Sequence, residues 1–189
     1  MAWAKLGTTT LGSAGDTITV SGSTASNFYQ YLHHAIQSGS TDTSTQMAED
    51  TGNNYAVRRD ENGTNETTNT SRSNIINNVW NNDALVVQYI SNISGEEKLT
   101  IASCCDRGSS GAGNAPNRME SVGKYAVTTG QVTSISAFNF DTGDFAADSN
   151  LSVLGSDGTE SMTVQDGAIY YDTDLNKEYV LYNNTWTEI

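Results

Sequence analysis

Three aspartates, Asp141, Asp144 and Asp148, lie close together in a polar segment near the middle of the C-terminal half. Carboxylate oxygens gathered on a loop are the ligands that Ca²⁺ prefers, so these three are candidate calcium ligands. Aspartate also caps turns by bonding its own backbone, and turn chemistry is the competing interpretation. Beyond this calcium option, the residues indicate no metal ion and no cofactor.

The other side chains with reactive chemistry occur as adjacent pairs. His33 precedes His34, and Cys104 precedes Cys105. Neighbouring residues of a strand point to opposite faces, so only one member of each pair can face a given site. We therefore expect two sheet histidines and two free thiols, one pointing inward and one outward. The two cysteines form no C-x-x-C pattern, which argues against a zinc site.

Enzymatic chemistry has few candidate groups in this sequence. The glycine-rich segment 107–117 lacks both the glycine frame of a dinucleotide-binding motif and the Gly-Lys-Ser/Thr of a P-loop. Glu96 and Glu97 lie in a polar turn, and Glu120 is a lone acid in an expected strand, so no acid pair for glycan hydrolysis can be assigned. We expect a protein that is not an enzyme and has no catalytic residue.

The charge of the chain limits its partners. Its 189 residues carry 22 acidic and 9 basic side chains, which gives a net charge of −13. Such a surface repels phosphate backbones, so we expect no nucleic-acid partner. The first residues contain no apolar signal region and no run reaches transmembrane length, which predicts synthesis in a cytoplasm without a signal peptide and without membrane insertion.

The composition predicts the elements that must position these groups. Helix formers are scarce, Ser, Thr, Asn and Gly are common, and there is a single proline. Nine or ten short apolar segments separated by turns precede residue 155, which is typical of an all-β protein. We expect an antiparallel β-sandwich, jelly-roll-like, over residues 1–155. A linker and a small C-terminal β-meander would follow over residues 156–189.

Three segments of the N-terminal half have predicted structures of their own. Residues 27–37 fit either an amphipathic helix or a strand, and their aromatic content favours a strand. Residues 41–60 have the pattern of a β-hairpin that turns near residues 50–54. Residues 60–73 are the most polar part of the chain, which predicts an exposed loop.

The C-terminal sequence 167–189, GAIYYDTDLNKEYVLYNNTWTEI, has three short apolar segments at 169–171, 178–182 and 186–189, with polar turns between them. This pattern resembles a module that recurs near the ends of phage tail-fibre and related virion-surface proteins. The segment 112–126, AGNAPNRMESVGKYA, is similar to a stretch of phage and archaeal-virus structural proteins.

These resemblances imply a non-enzymatic virion structural protein, displayed on the particle surface as a capsid decoration or a tail fibre. Such a protein would be made in the host cytoplasm and would form a homo-oligomer, a trimer or higher. Its other partners would be virion proteins such as the major capsid or tail proteins, with host surface glycans as a further contact. A soluble carbohydrate-binding β-sandwich module is the alternative, and a glycan depolymerase is a more distant one.

Aromatic residues of the C-terminal module are the candidate contact residues. Large aromatic side chains can fill the core of the meander, pack against a neighbouring subunit or stack on sugar rings. The candidates for contact with a subunit or a glycan are Tyr170, Tyr171, Tyr179, Tyr182 and Trp186.

Overall fold

The computed structural model describes residues 3–80, 82–157, 167–183 and 185–189. Every regular element within these ranges is a β-strand, and the strands pair in the antiparallel sense. The expected all-β fold class is therefore confirmed, and its physical basis is the scarcity of helix formers among so many side chains that compete for backbone hydrogen bonds.

The strands are numbered in chain order. The first seven are β1 (Ala4–Thr10), β2 (Thr17–Val20), β3 (Phe28–Ala35), β4 (Gln37–Ser38), β5 (Thr43–Met47), β6 (Tyr55–Glu61) and β7 (Asn65–Arg72). The next seven are β8 (Ile75–Ile76), β9 (Ala84–Ser91), β10 (Lys98–Asp106), β11 (Asn117–Tyr125), β12 (Ile135–Asn139), β13 (Asp144–Phe145) and β14 (Asn150–Ser156). The last three are β15 (Ile169–Asp172), β16 (Lys177–Tyr182) and β17 (Thr185–Glu188).

The chain divides into two compact units, residues 1–158 and residues 159–189. The first unit contains an eight-stranded sheet, here called the large sheet, with the order β1-β14-β3-β9-β10-β11-β6-β7. It also contains a four-stranded small sheet, β2-β12-β5-β8, and the two-stranded pair β13-β4. The second unit contains the three-stranded meander β15-β16-β17. The expectation that the meander packs on the sandwich or on a neighbouring subunit stays a prediction.

The large and small sheets of the first unit are arranged as a sandwich. Inner side chains of both sheets form one apolar cluster, and direct hydrogen bonds join them. The Tyr55 hydroxyl of the large sheet donates to the backbone oxygen of Met47 at 3.0 Å, and Thr45 donates to the Gln88 side chain at 2.7 Å. The buried cluster includes Ile18, Val20, Met47, Ile75, Ile135 and Ala137 from the small sheet and Tyr29, Tyr31, Val86, Ile90, Cys104 and Met119 from the large sheet.

The prediction of a strand over residues 27–37 is confirmed by β3, which pairs with β14 on one side and β9 on the other. Alternation buries Tyr29, Tyr31 and His33, while His34 is exposed. A helix would have left these two rings and the imidazole without the flat inner surface that buries them.

The predicted hairpin over residues 41–60 is wrong. β5 belongs to the small sheet and β6 to the large one, so the connection crosses from one layer of the sandwich to the other. Ala48 and Glu49 both adopt a φ of 55° where the chain leaves β5. The turn signal at residues 50–54 correctly indicated a change of direction, but a turn carries no information about which sheet receives the next strand.

The predicted loop over residues 60–73 is also wrong, because these residues end β6 and form β7. The turn is made by Asn62 and Gly63, whose φ angles of 55° and 73° are those of a tight hairpin. The Asp60 carboxylate accepts the Gly63 N–H at 2.6 Å and holds that turn. β7 is polar because it is the edge strand of the large sheet, where polar side chains protect the unpaired backbone.

Candidate functional surface

The outer face of the large sheet carries five large apolar side chains that are about half exposed. They lie on the three adjacent strands β9, β10 and β11 and are here called the outer apolar patch. Its members are Leu85 (51% exposed), Tyr89 (49%), Leu99 (57%), Ile101 (64%) and Val122 (51%). Contiguous apolar surface of this kind on a protein monomer marks an interaction site more often than chance exposure does.

The central strand of this patch, β10, buries polar residues at both of its ends, with Ala102 and Cys104 between them, and has two large apolar residues on its outer face. Lys98, Thr100 and Asp106 are 1%, 3% and 1% exposed and face the small sheet, whereas Leu99 and Ile101 face away from it. Burying a leucine or isoleucine side chain stabilises a fold by about 1.5–3 kcal/mol. Leu99 and Ile101 do not contribute this stabilisation to the sandwich core. A partner that covered the outer face would bury both side chains.

The buried polar groups of β10 are fitted to their positions only in part. The Lys98 ammonium donates to the backbone oxygens of Ile93 and Glu96 at 2.8 and 2.6 Å, and burial lowers the pKa of Lys98. Among the described residues, the Thr100 hydroxyl and one carboxylate oxygen of Asp106 find no hydrogen-bond partner. The inner face of β10 therefore buries polar groups that are not fully hydrogen-bonded. In the same strand the apolar side chains of Leu99 and Ile101 remain exposed to solvent.

Strand register brings the patch into one continuous row. Ile101 lies opposite Tyr89 of β9 and opposite Val122 of β11, and Val122 in turn lies opposite Arg58 of β6. The Tyr89 hydroxyl accepts a hydrogen bond from the Gln30 side chain of β3 at 3.2 Å, which fixes the ring at one end of the row. Directly opposed side chains lie about 5 Å apart, so the row is a surface without gaps.

Two shallow grooves flank this row. One, of about 300 Å³, is lined by Trp3, Phe28, Tyr89, Leu99 and Ile101 among others, and the rings of Trp3 and Tyr89 lie 6.3 Å apart. The other, of about 440 Å³, lies over β10, β11, β6 and β7 and includes both Leu99 and Val122 in its lining. Both grooves are lined almost entirely by carbon, so they fit an apolar partner better than a hydroxyl-rich one.

Charged residues border the patch on its β11 side. Lys124 and Glu120 lie on β11, one on each side of Val122, and Lys124 is ion-paired with Glu97 at 2.8 Å. Glu120 lies opposite Asp60, and Asp60 lies opposite Glu66, so these three carboxylates form an acidic row across the outer face of three strands. Glu66 is ion-paired with Arg58 at 3.4 Å, which leaves Glu120 and Asp60 as opposed like charges. Like charges in directly opposed positions destabilise a sheet, and a cation from outside would relieve this pair.

The predicted calcium ligands do not converge on one point. Ser40 donates to the Asp141 carboxylate, which holds the pKa of Asp141 below its usual range. Asp144 instead shares a hydrogen bond with Asp16, which raises the pKa of Asp16. Asp148 adopts a φ of 69° at a separate bend. Within the described ranges, no three His, Cys, Asp or Glu side chains are grouped so that they could hold a metal ion.

The paired histidines and cysteines lie as alternation predicts. His33 is fully buried and His34 is exposed, and Cys104 is buried while Cys105 is exposed, both cysteines being free. Burial raises the pKa of the Cys104 thiol, which makes that thiol less reactive. Cys105 lies on the outer face, opposite Leu85 of the outer apolar patch.

The aromatic candidates of the meander divide between its two faces. Tyr171 and Tyr182 are 48% and 72% exposed and lie on one face, together with the position of Val180. Tyr179 and Trp186 lie on the other face, where Trp186 is 42% exposed. Tyr170 pairs with Tyr179 along the backbone, and its side chain lies outside what the structure describes. The four described rings therefore cannot all touch one flat partner.

Leu181 is the meander residue that the sequence interpretation overlooked. It lies opposite Trp186 and is 6% exposed, a small apolar centre for the unit. Its backbone is held to the segment before β15, since its N–H donates to the Ala168 oxygen at 2.9 Å and its oxygen accepts from the Gly167 N–H at 2.7 Å. Aromatic residues are conspicuous in the sequence, and the alternation of 177–182 is the signal that identifies the buried leucine.

The outer apolar patch was also missed at the level of sequence. In the segment Lys98 to Ser103, alternation places Leu99 and Ile101 on one face, and the burial of the opposite face shows that they point outward. None of the described residues forms a helix with the length and apolar character needed to span a bilayer. A scan against models of protein families finds no match for this chain, and a search of curated proteins finds none either.

Proposed function

We propose that this protein is a non-enzymatic structural protein of a virus particle, displayed on its surface as a capsid decoration or a tail fibre. The observation that carries this proposal is the C-terminal unit. Residues 159–189 form a compact unit of their own, and its described part is a three-stranded meander. This is the architecture implied by the resemblance of 167–189 to a module of virion-surface proteins.

The large sheet supports an assembly role for the same protein. A structural protein of a particle works through contact with copies of itself or with other virion proteins, and such contacts need uncovered apolar surface. The outer apolar patch supplies that surface on three central strands of the large sheet. The proposal includes a homo-oligomer and contacts with other virion proteins, such as the major capsid or tail proteins.

Localisation on purified particles tests this proposal directly. Virus particles from a culture that produces this protein would be purified by density gradient, and mass spectrometry should detect the chain in the particle band. Gold-labelled antibody against the first unit should decorate intact particles, and pre-immune antibody should not. The proposal is wrong if the chain remains in the cell lysate and is absent from the particle band.

A carbohydrate-binding module is the second candidate, favoured by the exposed rings of Tyr171 and Tyr182 on one face of the meander. Aromatic rings presented to water can stack on sugar rings. A glycan array with the full-length protein tests this candidate, and Tyr182→Ala should abolish any signal that depends on stacking. Glycan binding without shortening of the glycan would separate a binding module from a depolymerase.

A further inference from the structure

We propose that the outer apolar patch is the surface through which two copies of this chain pack face to face, large sheet against large sheet. This inference deepens the proposed structural role, because it names the contact surface and the partner. It can be tested on the purified protein alone, so its failure and the failure of the virion assignment are separate results.

The side-chain pattern of β10 is the first reason. Leu99 and Ile101, more than half exposed, lie on the strand whose inner positions hold the buried Lys98 and Asp106. A strand that buries charged residues at its ends and exposes two large apolar residues is unusual at the surface of a sandwich, but it suits a structure in which a further layer covers the outer face. A second large sheet stacked about 10 Å away supplies that layer.

The extent of the surface is the second reason. The patch and its charged border span the five strands β9, β10, β11, β6 and β7 and about seven residues along each, which is a rectangle of roughly 20 by 24 Å. Side-chain relief makes the accessible area of such a face larger than its projection. The result is comparable with the roughly 800 Å² per partner of a standard protein–protein interface.

Charge complementarity is the third reason, and it selects a second copy as the partner. Along β11 the outward residues Glu120, Val122 and Lys124 follow one another at alternate positions. A twofold axis parallel to the row Tyr89–Ile101–Val122 stacks this row on itself. The axis passes over Val122, and Glu120 and Lys124 lie two positions before and after it on β11. Rotation about the axis exchanges these two sides, so Lys124 of each copy lies against Glu120 of the other.

This arrangement also relieves the acidic row. Glu120 lies beside Asp60 within its own sheet and has no cationic partner among the described residues. Lys124 of the second copy would supply that cation while remaining within reach of its own Glu97. Other occupants fit less well: the carbon lining of the grooves offers a glycan few hydrogen bonds, and the acidic row repels an anionic membrane.

Light scattering after size-exclusion chromatography tests the proposal with full-length protein. The wild type should have the molar mass of a multimer built from dimers, and Ile101→Arg should lower it by half or more. Thr10→Arg is the matched control, because it adds the same charge to the same face on β1, at the far edge of the large sheet. Circular dichroism spectra of both variants should resemble that of the wild type, since both residues are exposed in the single chain.

A charge exchange makes the test specific to the twofold geometry. Lys124→Glu or Glu120→Lys alone should weaken dimerisation by about tenfold or more, because each places like charges across the interface. The double variant restores opposite charges and should return the dissociation constant to within about threefold of wild type. Glu120→Lys also removes the like charge beside Asp60, so a loss of dimer in that variant cannot come from a less stable monomer.

Three results would overturn the proposal. The first is a monomeric wild-type protein at concentrations of about 100 µM, far above the dissociation constants of standard interfaces. The second is a multimer whose mass Ile101→Arg leaves unchanged, which would place self-association on another surface such as the meander. The third is a double charge variant that is as weak as the two single ones, which would exclude the twofold arrangement.

Discussion

His33 is a titratable group held in an apolar place. Its ring lies edge-on to Phe145 and Tyr31, with centroid distances of 5.0 and 6.0 Å, and is fully buried. Neither ring nitrogen has a hydrogen-bond partner among the described residues. Burial therefore lowers the pKa of His33 to about 3, so the folded protein keeps this imidazole neutral.

We expect His33 to make the protein acid-sensitive. Between pH 6.5 and 3 the unfolded chain binds a proton at this histidine and the folded chain does not, so the free energy of unfolding falls as the pH falls. His33→Phe keeps the ring contacts and removes the proton, so its stability should change less over this range. Urea unfolding at pH 7, 5.5 and 4 measures the difference, which should grow at lower pH. A constant difference between the two proteins would contradict this role.

The two cysteines should differ sharply in reactivity. Cys105 is exposed, whereas Cys104 is buried with a raised thiol pKa, so a thiol reagent should modify one group per native chain and two after unfolding. Cys104→Ala should be tolerated better than Cys104→Ser, because a buried hydroxyl without a partner costs about 1–3 kcal/mol. Modification of both thiols at equal rates in the native protein would show that Cys104 is accessible.

Among the elements, the pair β4–β13 depends on one close approach of two backbones. The Gly143 N–H donates to the Ser40 oxygen at 2.8 Å, and a Cβ at residue 143 would lie 2.5 Å from that same oxygen. Gly143→Ala should therefore destabilise the first unit by about 2 kcal/mol or more, since backbone atoms cannot move aside as a side chain can.

Gly12→Ala is the control for this effect, because a Cβ at residue 12 meets nothing within 4 Å. It should change the free energy of unfolding by no more than about 0.5 kcal/mol. Urea denaturation of both variants gives the comparison. Equal effects at the two glycines would mean that the contact between Gly143 and Ser40 is not tight in solution.

The elements that could be predicted from sequence are those with a local signal. β3, the two-sided placement of Cys104 and Cys105, and the meander strands follow from alternation and from aromatic content. β7 was missed because its polarity reflects its position at a sheet edge, although the Asn62-Gly63 turn was a usable local signal. The crossing of the chain from the small sheet at β5 to the large sheet at β6 has no local signal. It depends on how the faces of the two sheets pack against each other.

The candidate surface was beyond the reach of sequence for the same reason. Alternation shows that Leu99 and Ile101 share a face and that Lys98 and Thr100 share the other. It does not show which face meets the small sheet, and the usual rule selects the wrong one here. That choice is made by the packing of the small sheet, whose strands β2, β5, β8 and β12 are remote from β10 in sequence.

At the scale of the whole molecule, the division into two units predicts that the first unit folds without the second. Three strands of this length bury little apolar surface, and Leu181 is the one strand residue of the second unit described as buried. A chain ending at residue 157 should keep a cooperative thermal melt, since the large and small sheets and their shared core lie before that point. It should also keep its self-association through the outer apolar patch, and lose attachment to particles.

Circular dichroism melts, light scattering and particle sedimentation of the full-length and shortened proteins check the three parts of this expectation. Trp186→Ala in the full chain is the matched variant, because it changes the meander without removing it. Loss of cooperative melting on truncation would show that the second unit supports the first. Unchanged attachment of the shortened protein to particles would place the attachment surface in the first unit.

The placement of Leu99 and Ile101 on the outer face of β10 has a consequence for how the chain reaches this structure. A pairing shifted by one residue would turn Leu99 and Ile101 inward and release Lys98 and Asp106 to water, at the cost of exposing Cys104 and burying Ser103, so it is a competing arrangement. The native pairing is then selected by groups at the two ends of the strand, where Lys98 holds the oxygens of Ile93 and Glu96 and Asp106 accepts from Gly108 and Asn117. During refolding these end contacts must form before the strand settles into the shifted pairing. We therefore expect that chains which misfold contain β10 in the shifted pairing.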